Sequence, residues 1–181
     1  MDRRAVLAWM SCVTGSLLLP GCASFLRGSS VGPQCYRARN GPGIKAICTP
    51  EAVPDEEAES RAKRFEPVAG QLTIYLVRHR WGDAANRVKV GIAGERLVTT
   101  IPASLIRIAV PPGKHLLVFN WAKGHGVLQV QGDAGQVLFV DLVGSLWIWN
   151  EWYRLEMGDP SFRDRAMKSR LVADVKLGVR E

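Results

Sequence analysis

The chain has 181 residues, of which 47% are hydrophobic and 23% are charged, and its formal net charge is +7. These values are typical of a globular protein with one domain and a core, and they exclude a wholly disordered chain. A basic surface can meet nucleic acid, anionic lipid or acidic glycans, but the positive residues here are scattered without long runs, which favours a solvated, mildly basic surface.

Residues 1–21 have the pattern of a secretory signal peptide. Arg3 and Arg4 give the n-region its positive charge, and residues 5–19 (AVLAWMSCVTGSLLL) are mostly apolar and carry no charge. A stretch of this kind is typical of a signal-peptide core rather than of a membrane-spanning helix. Because the two arginines loosely resemble a twin-arginine signal, both the general secretory and the twin-arginine route stay open.

Leu19-Pro20-Gly21-Cys22 follows and resembles the lipobox of bacterial lipoproteins. In such proteins the cysteine thiol receives a diacylglycerol, and a peptidase then cuts the bond before the cysteine. Acyl chains on Cys22 would enter the bilayer and gain ~0.8 kcal/mol per buried CH₂ group. Ser24 is not Asp, the residue that commonly retains such proteins at the inner membrane. The prediction is therefore a lipid anchor at the periplasmic face of the outer membrane.

Two cysteines remain in the predicted mature chain, Cys35 and Cys48, because Cys12 leaves with the signal peptide and Cys22 carries lipid. An exported protein meets an oxidising compartment, so a disulfide is predicted between them. Such a short loop would stabilise the fold by ~3 kcal/mol. Two free thiols serving as metal ligands or nucleophiles are the alternative, although no His lies nearby.

Residues 22–54 are rich in Gly, Pro, Ser and Arg, without apolar periodicity, and predict a lipid-anchored tether that includes the disulfide loop. Residues 55–181 predict one domain. It begins with a short helix over residues 55–64, for which Asp55 is the expected N-cap. A second helix is predicted over residues 161–174, after Asp159 and Pro160.

Between the two helices, short alternating stretches are separated by turn signals. Strands are predicted over residues 71–79, 87–93, 96–101, 105–110, 114–122, 127–131, 136–143 and 146–157. The expected fold is mainly β, an antiparallel β-sandwich of about seven or eight strands with a short helix before it and a C-terminal helix.

The layout of residues 60–157 resembles the bacterial family called domain of unknown function 2846. Three segments carry the resemblance, and they are residues 74–78 (IYLVR) after Phe65, residues 110–115 (VPPGKH) and residues 133–140 (DAGQVLFV). The resemblance implies a β-sandwich behind a lipoprotein signal and supplies no assigned chemistry. The Trp-rich segment at 147–152 and the terminal helix depart from the family pattern.

Signatures of catalysis and of metal binding are missing from the predicted mature sequence. His79, His115 and His125 form no HxH or HExxH pattern, and CxxC, Gly-x-Ser-x-Gly and phosphate-loop patterns are absent. Four carboxylates are candidates for glycoside chemistry by residue type alone, and they are Asp133, Asp141, Glu151 and Glu156. The sequence therefore predicts no metal, no cofactor and no enzyme.

Four tryptophans are the candidate ligand contacts: Trp81, Trp147, Trp149 and Trp152. Trp147 and Trp149 either fill the core or form a platform for a sugar ring or peptide, and exposed tryptophans could also lie at the membrane surface. Trp81 lies in a predicted loop.

The sequence thus predicts a lipid-anchored periplasmic binding or assembly module whose partner is an envelope protein or an anionic glycan. Nucleic acid is not expected as a partner of an exported protein. The alternatives are an envelope enzyme acting on glycans or cell-wall material, and a domain that mainly spaces or caps another complex. An enzyme should present convergent titratable groups in a concave pocket, whereas a binding module should present an aromatic or strand-edge patch.

Overall fold

A computed structural model describes residues 32–40, 43–79, 86–144 and 152–178. In chain order its elements are β1 (Pro33–Asn40), β2 (Gly43–Ala52), α1 (Glu56–Ala62), β3 (Leu72–Arg78), β4 (Val88–Ile92), β5 (Val98–Thr100), β6 (Ser104–Val110), β7 (Gly113–Trp121), β8 (Gly124–Gly132), β9 (Val137–Gly144), β10 (Tyr153–Met157), α2 (Phe162–Met167) and β11 (Arg170–Lys176). The prediction of a mainly β sandwich with two flanking helices is confirmed.

The strands form two packed sheets and a separate hairpin. One sheet has five strands in the order β10-β9-β3-β6-β11, the other has four in the order β5-β4-β7-β8, and β1 pairs with β2. Most pairings are antiparallel, but β3 is parallel to β9 and β11 is parallel to β6. Parallel neighbours come from distant parts of the chain, so alternation within single strands does not reveal them.

The five-stranded sheet is covered on both faces, so every residue of its central strand β3 is buried. Leu72, Ile74 and Leu76 enter the core between the sheets. Tyr75 and Val77 point the other way, into a second cluster that contains Phe65, Phe162 and Ala166 from the helical layer. The molecule therefore has three layers, and its four-stranded sheet is an outer one.

The two helices are tied to each other as well as to the sheet. The carboxylate of Asp55 accepts a hydrogen bond of 2.7 Å from the Ala58 amide, which confirms the predicted N-cap. Lys63 ends α1 and donates to the carbonyl oxygen of Met167, at the end of α2, over 2.9 Å. Partial burial lowers the pKa of Lys63. This contact fixes the helical layer as one unit.

The C-terminal helix is shorter than predicted. It ends at Met167, and residues 170–174, which were predicted to be helical, belong to β11 (Arg170–Lys176) on the edge of the five-stranded sheet. The segment RLVADV has apolar residues at a strand period as well as at a helical one. Pairing with β6 decides between them, and Arg107 of β6 donates to Asp174 over 2.9 Å across that pair.

The segment predicted to be a tether contains a β-hairpin. The sequence did not predict this hairpin, because the segment lacks apolar periodicity. Cys35 of β1 lies opposite Cys48 of β2, and the two form the predicted disulfide. The neighbouring Ile47 is buried in the core between the sheets, and Tyr36 packs against that core. The hairpin is therefore docked on the sandwich. Among the described residues, no helix is both long and apolar enough to cross a membrane.

Strand β8 begins at Gly124, three residues before the strand predicted over residues 127–131. Gly124 lies opposite Trp121 of β7, and Gly126 lies opposite Phe119. A Cβ atom at Gly124 would lie 2.7 Å from the Trp121 ring, so only glycine leaves room for this ring over the neighbouring strand. The two glycines thus allow stacked Phe119 and Trp121 rings to fill that end of the core.

Candidate binding face

The outward face of the four-stranded sheet presents alternate residues of its strands. Cross-strand pairing puts Val118 opposite Val127 and Asn120 between Lys89 and His125. We call this surface the basic sheet face, and its twelve residues are Lys89, Gly91, Leu97, Thr99, Lys114, Leu116, Val118, Asn120, His125, Val127, Gln129 and Gln131.

The basic sheet face carries charge of one sign only. None of its twelve residues is Asp or Glu, whereas Lys89 and Lys114 are exposed cations and His125 is exposed as well. The helical layer is different, because α1 places Glu57 beside Arg61 and Glu59 beside Lys63 in ion pairs. An acid-free face produces a local positive potential that paired charges of both signs do not.

The centre of the basic sheet face is apolar. Val127 is 64% exposed and Leu116 is 45% exposed, and both neighbour the half-buried Val118. Diagonal and directly opposite residues on one sheet face are close enough for their side chains to touch. Lys114 lies at one end of this apolar centre, while Lys89 and His125 lie at the other. A contiguous exposed patch of this kind is typical of an interaction surface.

A groove of about 640 Å³ runs along the edge of the face that adjoins the hairpin. Its charged lining consists of Arg87, Lys89 and Arg96 from the sheet and Glu51 from β2. Arg96 forms an ion pair with Glu51, so Arg87 and Lys89 give the groove its excess of positive charge. The groove continues the positive potential of the face as far as strand β2 of the hairpin.

A second concentration of polar side chains lies under α2, at the end of β3. Asp141 is 3% exposed, and its carboxylate accepts hydrogen bonds from Arg165 at 2.5 Å and lies 2.9 Å from Nε2 of His79. Arg165 also donates to Asp159 over 3.0 Å. A hydrogen bond from the Ser161 hydroxyl lowers the pKa of Asp159, with help from the Ser161 amide and Arg165.

An adjacent cavity of about 370 Å³ is lined by His79, Arg165, Lys168 and Ser169, among others. The Ser169 hydroxyl donates to the Arg165 carbonyl oxygen over 2.9 Å, so it is engaged within α2. Each polar group of this network bonds another part of the protein, which suits a structural link between α2 and the sheet. In the part of the chain that the structure describes, no three His, Cys, Asp or Glu residues are grouped to hold a metal ion.

A third candidate binding site lies at the open side of the sandwich. A groove of about 480 Å³ lies between β2, β5 and β11, the last two being edge strands of different sheets. Val98, Val172 and Val175 contribute apolar surface, and the hairpin closes one side. The groove runs along strand edges, but its lining carries charges of both signs, unlike the basic sheet face.

Most of the predicted site residues lie outside the described part of the chain. These are Cys22, Trp81, Trp147 and Trp149. Trp152 is 37% exposed, and the Arg154 guanidinium lies 5.2 Å from its ring centroid. His115 donates from Nε2 to the Pro111 carbonyl oxygen over 2.7 Å, and this nitrogen carries the proton because a carbonyl can only accept.

Sequence reasoning missed the residues of the basic sheet face. The outward positions of the predicted strands include Lys89, Lys114, Leu116 and Val127, whereas the prediction used the alternate positions that form the core. The polar face of an alternating strand could have been searched for missing carboxylates and for exposed aliphatic residues. The register that joins these positions into one surface required the sheet order.

No protein-family model matches this chain, and no curated protein matches it either. The resemblance to domain of unknown function 2846 therefore stays a prediction.

Proposed function

We propose that this chain is a lipid-anchored protein on the periplasmic face of the outer membrane, where it acts as a binding or assembly module for an anionic envelope component. The anchor is Cys22, and the binding surface is the basic sheet face. The observation that carries the proposal is the composition of that face, with no carboxylate among twelve residues and two exposed aliphatic side chains at its centre.

Two physical arguments support a binding role for this surface. Lysines on a face that has no carboxylate of its own attract a polyanion at long range and favour a partner of opposite potential. Leu116 and Val127 then have apolar area to bury once the partner is in contact. A flat sheet face suits an extended surface better than a small molecule, since small ligands bind in concave pockets.

The alternative of an envelope enzyme acting on glycans has less support. Hydrolysis of a glycosidic bond requires two carboxyl groups that flank the sugar. Asp141 and Asp159 are the carboxylates nearest the cavity under α2, and both accept hydrogen bonds from Arg165. Both oxygens of Asp141 and Oδ1 of Asp159 are therefore engaged in contacts within the protein.

Charge reversal on the face should weaken binding to anionic envelope material. Lys89→Glu combined with Lys114→Glu replaces two attractive charges by two repulsive ones, and we expect the affinity to fall by at least ~10-fold at low salt. The measurement is binding of the non-lipidated protein, residues 22–181 with Cys22→Ser, to anionic phospholipid vesicles, to lipopolysaccharide and to peptidoglycan sacculi, so that the anchor itself does not hold the protein on the probe. The probe that loses the most affinity identifies the class of partner.

The matched control is Arg64→Glu combined with Lys168→Glu, which makes the same change in net charge in the helical layer. Both residues are exposed and lie away from the basic sheet face. The proposal predicts little change for this pair. Equal losses in the two variants would show that only net charge matters, and no loss in either would eliminate the face as a binding surface.

A further inference from the structure

We infer that the partner of the basic sheet face is an anionic phospholipid surface, namely the leaflet that holds the acyl chains of Cys22. This inference rests on the proposed lipid anchor and binding role, and it names their partner. It also fixes the orientation of the domain, because the four-stranded sheet would face the lipid and the helical layer would face away from it.

The layout of the face matches the chemistry of a lipid surface. Leu116 and Val127 form an exposed aliphatic centre, and aliphatic side chains can enter the boundary between headgroups and acyl chains. Lys89 and Lys114 flank that centre on long flexible stems, which can extend sideways to lipid phosphates. Each such cation strengthens attachment to an anionic leaflet about fivefold.

The length of the tether allows this contact. Gly32, the first described residue, is ten residues after Cys22, so the connecting chain spans at most ~35 Å. The hairpin that follows lines the groove beside Arg87 and Lys89. The tether enters the domain at β1, where Gln34 lines a groove with residues of α1 and α2. Its reach of ~35 Å therefore allows the basic sheet face to contact the bilayer but does not select that face.

Charge also selects this face over the opposite side of the molecule. In the helical layer, acidic residues alternate with basic ones, as in the pairs Glu57–Arg61 and Arg64–Glu66. An anionic leaflet would repel the acids there as strongly as it attracted the bases. None of the twelve residues of the basic sheet face is a carboxylate, and Glu51, which borders the face in the groove beside Lys89, is balanced by its ion pair with Arg96.

The test uses the full mature lipoprotein, reconstituted through its own anchor into vesicles that contain phosphatidylglycerol. Val127→Cys receives a small fluorescent label, since lipid blocks the Cys22 thiol and the disulfide occupies Cys35 and Cys48. Vesicles carry brominated acyl chains, which quench a fluorophore only at short range. The matched control is Met167→Cys on α2, which is 54% exposed and lies in the helical layer. Met167 lines the same groove as Gln34, near the point where the tether enters, so closeness to the anchor alone would favour quenching at position 167 and not at position 127.

We expect the label at position 127 to be quenched at least about twice as strongly as the label at position 167. Adding Lys89→Glu and Lys114→Glu, or replacing phosphatidylglycerol by phosphatidylcholine, should remove the difference. The anchor keeps every variant on the vesicle, so loss of quenching reports loss of face contact and not release of the protein.

Equal quenching at the two positions, or none at position 127, would overturn the inference. If the charge-reversal pair still lost affinity for lipopolysaccharide or peptidoglycan, the binding module would stand with a different partner. If that pair changed binding to no anionic probe, the proposed function itself would fail. Circular dichroism of each labelled variant verifies that it is folded.

Discussion

Replacing Arg78 by Met should lower the free energy of unfolding by about 3 kcal/mol. Arg78 is 1% exposed, and its guanidinium donates to the carbonyl oxygens of Thr100 and Asn86, each over 2.8 Å. It also donates to the Thr100 hydroxyl over 3.2 Å. Methionine fills similar space but leaves these acceptors without their donor inside the protein. Urea unfolding followed by tryptophan fluorescence measures the loss.

Arg154→Met is the control for this substitution, because Arg154 is exposed and its pair with Glu156 lies at the surface. Such pairs contribute ~0–1 kcal/mol. Arg78→Lys keeps the charge but cannot present the guanidinium fork, so it should recover little of the lost stability. Equal unfolding midpoints for the Arg78 and Arg154 variants would show that Arg78 does not hold β4 and β5 against β3.

Replacing Arg165 by Met should lower the free energy of unfolding by about 3–5 kcal/mol, because it leaves the buried Asp141 carboxylate without its arginine. Arg165 donates from two nitrogens to Asp141 and from a third to Asp159, so it joins α2 to β9. Among the described residues, His79 would remain as the side-chain partner of that carboxylate. Thermal and urea unfolding of the variant measure the cost.

A double-mutant cycle separates this ion pair from simple loss of packing. Asp141→Asn removes the charge that Arg165 balances, so Arg165→Met should cost much less in that background than in the wild type. Lys168→Met, on the same side of α2 but exposed, should change stability by less than ~0.5 kcal/mol. Additive losses in the cycle would contradict a structural role for the Arg165–Asp141 pair.

Sequence patterns predicted the sandwich well because its strands alternate strongly. The predicted strand at residues 71–79 corresponds to β3 (Leu72–Arg78), and its two apolar faces enter the two hydrophobic clusters. Two cysteines remaining in a chain that is predicted to be exported were enough to predict the bond between Cys35 and Cys48. These features depend on local residue order or on compartment chemistry, which a sequence records directly.

Features that depend on distant partners could not be predicted. β11 is a strand because it pairs with β6, and its own residues suit a helix equally well. Arg78 looks like a surface residue at a strand end until Asn86 and Thr100 are seen to surround it. The basic sheet face likewise exists only because the order β5-β4-β7-β8 aligns the outward residues of different strands.

The central claim is that Cys22 anchors this module to the membrane, and intact-mass analysis of the membrane fraction tests it most directly. Wild-type protein and Cys22→Ser should be compared. If Cys22 carries the anchor, the wild-type mass should equal residues 22–181 plus acyl chains, and that species should be lost in the variant. A full-length, uncleaved wild-type chain in the soluble fraction would contradict the anchor, and with it the proposed contact with lipid.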